Sequence, residues 1–169
     1  MCVTTVYLHH EYARAIMTYT LNIIIKAPLS LCIEKFANSA HKTDWQRGLR
    51  YAEHLSGTPG ELGSKMKLHF NVGKRRMELV KTITHKKLPY EWHATYTTDG
   101  MATIQENYFS STPEDDTQWT CINELLPLNF KMRLMIGVMP KTFKDQTLQY
   151  MKDFKTFVET GTSVADAKT

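Results

Sequence analysis

The feature that most constrains this chain is a change of hydrophobic period partway along it. Residues 48–55, 64–72, 76–85, 91–98, 101–111 and 117–126 read as short strands, rich in alternating, β-branched or aromatic positions. Turn chemistry separates them, from Ser56-Gly57-Thr58-Pro59-Gly60 through Gly73-Lys74, Leu88-Pro89 and Asp99-Gly100 to Pro113-Glu114-Asp115-Asp116. The Asp99-Gly100 pair between two such runs is a hairpin signal. Beyond Phe130 the period becomes helical. Met132, Met135, Met139, Phe143, Thr147, Tyr150, Phe154 and Val158 follow steps of three and four, and Lys141, Lys144, Lys152 and Lys155 take other faces. Pro140 divides this stretch into a short helix and a main helix over 140–159, with proline in the first turn of the second.

Ahead of the meander, 18–27 reads as a strand closed by Pro28. Ser30 is expected to cap a short helix whose apolar side holds Ile33 and Phe36, and a second short helix is expected over 40–45. The order is strand, two short helices, six strands and a long helix, an α+β architecture. A seven-stranded antiparallel sheet then has one face to cover and one long C-terminal helix to cover it. The sheet must curl around that helix, and the space left between them is the candidate site.

The chain has 169 residues, enough for one domain with a single sizeable core. Its hydrophobic share of 42% and charged share of 22% argue against disorder, and no apolar run is long enough to span a bilayer. Residues 1–17 read as an N-terminal extension without the pattern of a secretory signal, and 160–169 as a flexible tail. The net charge of +4 is mild, and the clusters Lys74-Arg75-Arg76 and Lys86-Lys87 are short, so no nucleic-acid partner is expected. Cys2, Cys32 and Cys121 are scattered, with no disulfide framework, which suits a reducing, cytoplasmic location.

Few residues point to catalysis. Cys32 and Cys121 have no neighbouring histidine and read as small core residues. His9-His10 lacks a third ligand, and His69, His85 and His93 have no metal-ligand spacing, so no metal and no cofactor is expected. Acid–base chemistry has three candidates, Lys81, Glu106 and Glu124. Lys81 shares a strand face with Met77, Leu79 and Ile83. It either snorkels to the rim or pairs inside with Glu106 or Glu124.

Several words of the sequence resemble the START-like, or SRPBCC, helix-grip superfamily, over about 18–159. They are Ile25-Lys26-Ala27-Pro28, Trp45, the run from His54 through Gly57, Pro59 and Gly60 to Ser64, Thr117-Gln118-Trp119-Thr120, and Tyr150-Met151-Lys152-Asp153-Phe154-Lys155. The branch most similar is that of the polyketide cyclase/dehydrase-like proteins. Residues 1–16 have no counterpart in that pattern. The resemblance implies a hydrophobic cavity between sheet and long helix. The expected wall is Leu68, Phe70, Met77 and Leu79, with Trp92, Tyr96, Tyr108 and Trp119 from later strands and Met135, Met139, Phe143 and Tyr150 from the helical end. It implies binding of a lipid, quinone or aromatic polyketide, with a cyclase/dehydratase or a chaperone-activator-like interaction module as alternatives. A monomer or weak homodimer without stable membrane insertion is expected.

Overall fold

In the computed structural model, which describes residues 17–165, the β-branched run of the sequence forms β1 (Met17–Ile25). Pro28 then occupies the N-cap of α1 (Leu29–Ala37) with φ −59° and ψ 148°, and no side chain caps the helix. Ser30 therefore lies inside the first turn and is not the cap, because the fixed φ of proline already sets the entry. A single 3-10 turn, whose start is capped by the Asn38 side chain, leads into α2 (Lys42–Trp45). The meander follows as β2 (Leu49–Ser56), β3 (Lys65–Val72), β4 (Arg75–Lys87), β5 (Glu91–Thr97), β6 (Met101–Ser111) and β7 (Thr117–Pro127). Two helices close the chain, α3 (Phe130–Val138) and α4 (Pro140–Thr160).

The seven strands form one antiparallel sheet in the order β1-β7-β6-β5-β4-β3-β2. Only β1 pairs out of sequence, with Met17 opposite Leu125 and Ile25 opposite Thr117. Met17 thus belongs to the sheet. The rest of the expected N-terminal extension lies outside the described residues. Gly48 makes the entry to β2 possible: its φ is +87°, and a Cβ there would sit 2.6 Å from the Asn71 carbonyl oxygen. This is the helix-grip fold expected from the sequence, a curled sheet around a long C-terminal helix.

Side chains tie α4 to its surroundings along its length. Tyr19 Oη of β1 and Thr147 Oγ1 share a hydrogen bond of 2.9 Å. Arg47 donates to both oxygens of the buried Asp153, at 3.1 and 3.0 Å. Lys155 Nζ donates to the Ile24 carbonyl at 2.6 Å, and the Lys26 amide donates to Glu159 Oε1 at 2.6 Å. Gly161, left-handed at φ 74°, ends the helix. The next residues, expected to fray, instead dock on α2: Ser163 Oγ donates to Asp44 Oδ1 at 2.9 Å and the Val164 amide to the Asp44 carbonyl at 2.8 Å.

The buried core falls into two groups. The larger centres on Phe36, whose ring lies 5.0 to 6.1 Å from those of Trp45, Trp92, Phe109, Trp119 and Phe154. The smaller is Leu49, Leu68 and Phe70, with Met66, Met77, Leu79, Tyr96 and Tyr150 partly buried against it. The stripe expected to run through Met135 and Met139 into the long helix is interrupted. Met139 leaves helical geometry at φ −130° and ψ 52°, so α3 turns its own way. Ile136 is buried, while Met135 and Met139 are exposed along with Phe130, Leu134 and Val138.

Candidate functional site: a cavity between the two core groups

A cavity of about 210 Å³ separates the two groups of core side chains. Leu68 and Phe70 of β3 and Met77 and Leu79 of β4 make one wall. Tyr96 and Trp119 belong to the sheet floor, and Phe143 and Tyr150 come from α4. These eight expected residues are brought together. The strands place them there by parity: alternate side chains face the same side, and all eight sit on the concave side or on the helix above it.

Four expected residues are not part of this wall. Trp92 is buried next to it, its ring packed edge-on against Phe36 at 6.1 Å, and so fills the core instead. Tyr108 has the opposite parity from the buried Asn107 and Phe109, and its hydroxyl donates to Glu106 Oε2 at 2.9 Å on the convex face. Met135 and Met139 are turned away by the break before Pro140.

The same parity removes two of the three acid–base candidates. Glu124 lies between Asn123 and Leu125, which both line the cavity, and Glu106 lies between the lining Gln105 and the buried Asn107. Both carboxylates therefore point to the convex side, and neither can meet Lys81. Lys81 is on the concave face and is only 5% exposed. It neither snorkels nor pairs with a carboxylate.

The floor carries a polar ladder that the aromatic pattern did not reveal. Tyr96 Oη donates to Gln105 Oε1 at 3.4 Å, and Gln105 Nε2 donates to Asn123 Oδ1 at 3.1 Å. Asn123 Nδ2 in turn donates to Cys121 Sγ at 3.2 Å. Asn107, fully buried, accepts from Trp119 Nε1 at 3.0 Å and donates to the Trp92 carbonyl at 3.0 Å. The sequence signal was available: counting by twos from Trp119 reaches Cys121 and Asn123, and skips Glu124. Burial pushes the Tyr96 phenol well above its usual range and the Cys121 thiol up to about 12. Both groups stay neutral at physiological pH. Cys121 is then a weak hydrogen-bonding floor residue and not a nucleophile. The arrangement offers an apolar envelope with a few fixed amide and hydroxyl groups, which is what orienting a partly polar ligand requires.

Two other places hold clustered chemistry. A bulge in β4 brings His85 beside His93, rings stacked at 4.9 Å, with Glu91 Oε2 3.1 Å from His85 Nε2 and 3.7 Å from His93 Nε2. Linear spacing hid this trio because the bulge shifts the register. His93 Nδ1 accepts the Asn107 amide at 3.2 Å, which places the ring proton on Nε2, the atom facing Glu91. A metal would need that nitrogen bare, so the trio reads as a hydrogen-bonded cluster. Near the β2–β4 end a second recess of about 380 Å³ is lined by Arg50, Tyr51, His69, Arg76 and Glu78 among others. There His69 Nδ1 lies 3.2 Å from Glu78 and Lys67 Nζ 3.1 Å from it.

Solved structures share this fold. The chain superimposes on the crystal structure of Ara h 8.0201 with a TM-score of 0.67 at 8% identity, covering 84% of this chain and 97% of that one. It matches the major latex-like protein 151 of Panax ginseng with a TM-score of 0.66 at 13% identity, over 83% of this chain and 95% of the other. Protein CV1439 of Chromobacterium violaceum gives a TM-score of 0.68 at 15% identity, over 85% and 98% of the two chains. No family model and no curated protein matches the sequence. At these identities the likeness shows the helix-grip fold alone.

Proposed function

We propose that this protein binds a hydrophobic or amphipathic small molecule in the cavity between the sheet and α4. The observation that carries the reading is the split core. An apolar space of about 210 Å³ lies between two packed groups, where a continuous core would otherwise form. Affinity comes from burial of apolar ligand surface, at roughly 25 cal/mol per Å² before ordering costs. The Tyr96–Gln105–Asn123 ladder orients whatever polar group the ligand carries. Ligands of lipid, quinone or aromatic polyketide type fit this chemistry. Entry is gated by the segment from Pro127 to Pro140, which rests on the β5–β6 turn. A Cβ on Gly100 would meet Asn129 Nδ2 at 3.0 Å and Met132 Cε at 3.4 Å.

The cyclase/dehydratase reading is weakened, because Glu106 and Glu124 face away from the cavity. One observation favours an interaction role beside ligand binding: Phe130 is 78% exposed and Val138 71%, on the outer side of α3. The two buried thiols, Cys32 and Cys121, are free, in keeping with a reducing compartment. Among the described residues no helix is long and apolar enough to cross a membrane.

Native mass spectrometry of the purified protein, followed by organic extraction, tests the reading. A stoichiometric apolar passenger is the expected result. A clean apo mass, with no uptake from a panel of lipids, quinones and aromatic polyketides, would move the weight to the interaction role.

A further inference from the structure

Beyond Leu79, at the inner end of the cavity, four buried hydrogen-bond donors converge and no anion meets them. Lys42 of α2 and Lys81 of β4 are 6% and 5% exposed. Lys42 Nζ reaches Met66 Sδ at 3.6 Å, and Met66 is the cross-strand partner of Lys81. The Lys81 ammonium stands 5.6 Å from the Trp92 ring centre and 5.8 Å from that of Tyr96. Tyr96, its partner on the other side, lines the cavity, as does Gln46, one helical turn beyond Lys42. Ser64 precedes Met66 on the same strand face. Its Oγ and Trp92 Nε1 are buried without a hydrogen-bond partner among the described residues.

Such an arrangement is costly in an empty protein. A buried ammonium without a carboxylate loses hydration and gains little in return, and a second one nearby adds repulsion. Among the described residues neither lysine forms an ion pair, and the charge that Lys81 does sense is that of Lys42. Glu61, the carboxylate on the nearby loop, is held by Lys86 at 2.7 Å. Burial lowers the affinity of both amines for their protons, most strongly at Lys81. Rings at 5.6 and 5.8 Å stabilise a cation only in part. What the cluster lacks is an acceptor carrying negative charge.

We infer that Lys81 and Lys42, with Ser64 Oγ and Trp92 Nε1, form a receptor for the carboxylate head of an amphipathic ligand whose apolar body fills the cavity. The inference rests on the ligand-binding reading above and names the ligand class, an apolar monocarboxylic acid. The carboxylate accepts hydrogen bonds from the two ammonium groups and from Ser64 and Trp92, and charge-assisted bonds in a dry site are strong. The tail lies toward Leu68, Leu79 and Phe143, so head and body are read at different places.

The test is displacement of the neutral fluorophore N-phenylnaphthylamine from the full chain by decanoate and by decanol. Decanoate is expected to displace at a concentration at least about tenfold lower, the difference a charge-assisted contact supplies. Lys81→Met should bring the two ligands to parity while leaving decanol unchanged. Lys42→Met should narrow the gap in the same direction, and it stands in if the first variant does not fold. Equal displacement by both ligands in the unaltered protein overturns the carboxylate receptor and leaves the cavity standing. An unchanged preference in both variants overturns it too. If the fluorophore does not bind and neither ligand protects the protein from thermal unfolding, the cavity reading fails and the receptor with it.

Discussion

The molecule is solid around Phe36 and hollow around Tyr96, although both lie under the same helix. At the solid end, five aromatic rings close on Phe36, and Phe154 reaches it from α4 with no exposed surface. At the hollow end, α4 presents Phe143 and Tyr150 to a wall of aliphatic and methionine side chains that it does not fill. The difference is one of shape. Aromatic rings from α1, α2, β6, β7 and α4 converge at one place and interlock, whereas β3 and β4 curl away and the chain supplies nothing large to follow them. The solid end stabilises the fold, and the hollow end is free to accept a ligand.

The contrast is broken or sharpened most strongly at Phe154. Phe154→Ala should cost about 3–5 kcal/mol, as loss of a fully buried aromatic side chain does. Phe143→Ala, on the cavity wall, should cost only about 1–2 kcal/mol and reduce ligand uptake. Urea unfolding of both variants measures this. Equal costs would mean that the hollow end is packed as tightly as the solid one.

Lys81→Met should act in the opposite direction and stabilise the ligand-free protein by about 1–3 kcal/mol, because an unpaired buried ammonium is removed. A pH series sharpens this. The folded protein holds the Lys81 and Lys42 protons less tightly than the unfolded chain, whose lysines titrate near 10.5. The unfolded state therefore binds more protons between the lowered values and 10.5, and stability should rise with pH through that window. Tyr19, Tyr96 and Tyr150, raised by burial above 10.0, pull the other way once the unfolded phenols ionise, so the rise ends there. Thermal melts of the unaltered protein and of Lys81→Met should differ in this slope. Parallel curves would show that Lys81 does not bear the cost assigned to it.

The smallest effect comes from adding volume. Cys32, fully buried beside the aromatic cluster, has no room, and Cys32→Leu should lose about 1–3 kcal/mol. Thr103→Leu, on the cavity floor, should stay within about 0.5 kcal/mol and compete with ligand. Comparable losses at both positions would erase the distinction between the two ends.

The fold was legible in the sequence because period and turn chemistry agreed over the whole meander. Asp99-Gly100 and Pro140 marked boundaries that the structure keeps. The wall of the cavity was legible for a related reason: hydrophobic residues at alternate positions of β3 and β4 must share a face. What was misread came from parity and geometry. Glu106 and Glu124 sit one residue away from the concave face, an offset that reverses a side chain without changing local composition. Met135 and Met139 continue the helical stripe on paper, but the chain turns at Met139. The His85–His93 pairing depends on a bulge, and the lysine cluster depends on α2 folding back over β3, which no local pattern encodes.

The most direct measurement is methyl NMR of the methionines while decanoate is titrated into the protein. Met77, Met101 and Met151 line the cavity, and Met135 and Met139 stand exposed on or beside α3. The account predicts that the first three signals shift together along one saturating curve and that the last two do not follow it. Stationary cavity signals, or saturable shifts confined to Met135 and Met139, would contradict it and place the ligand on the outer surface.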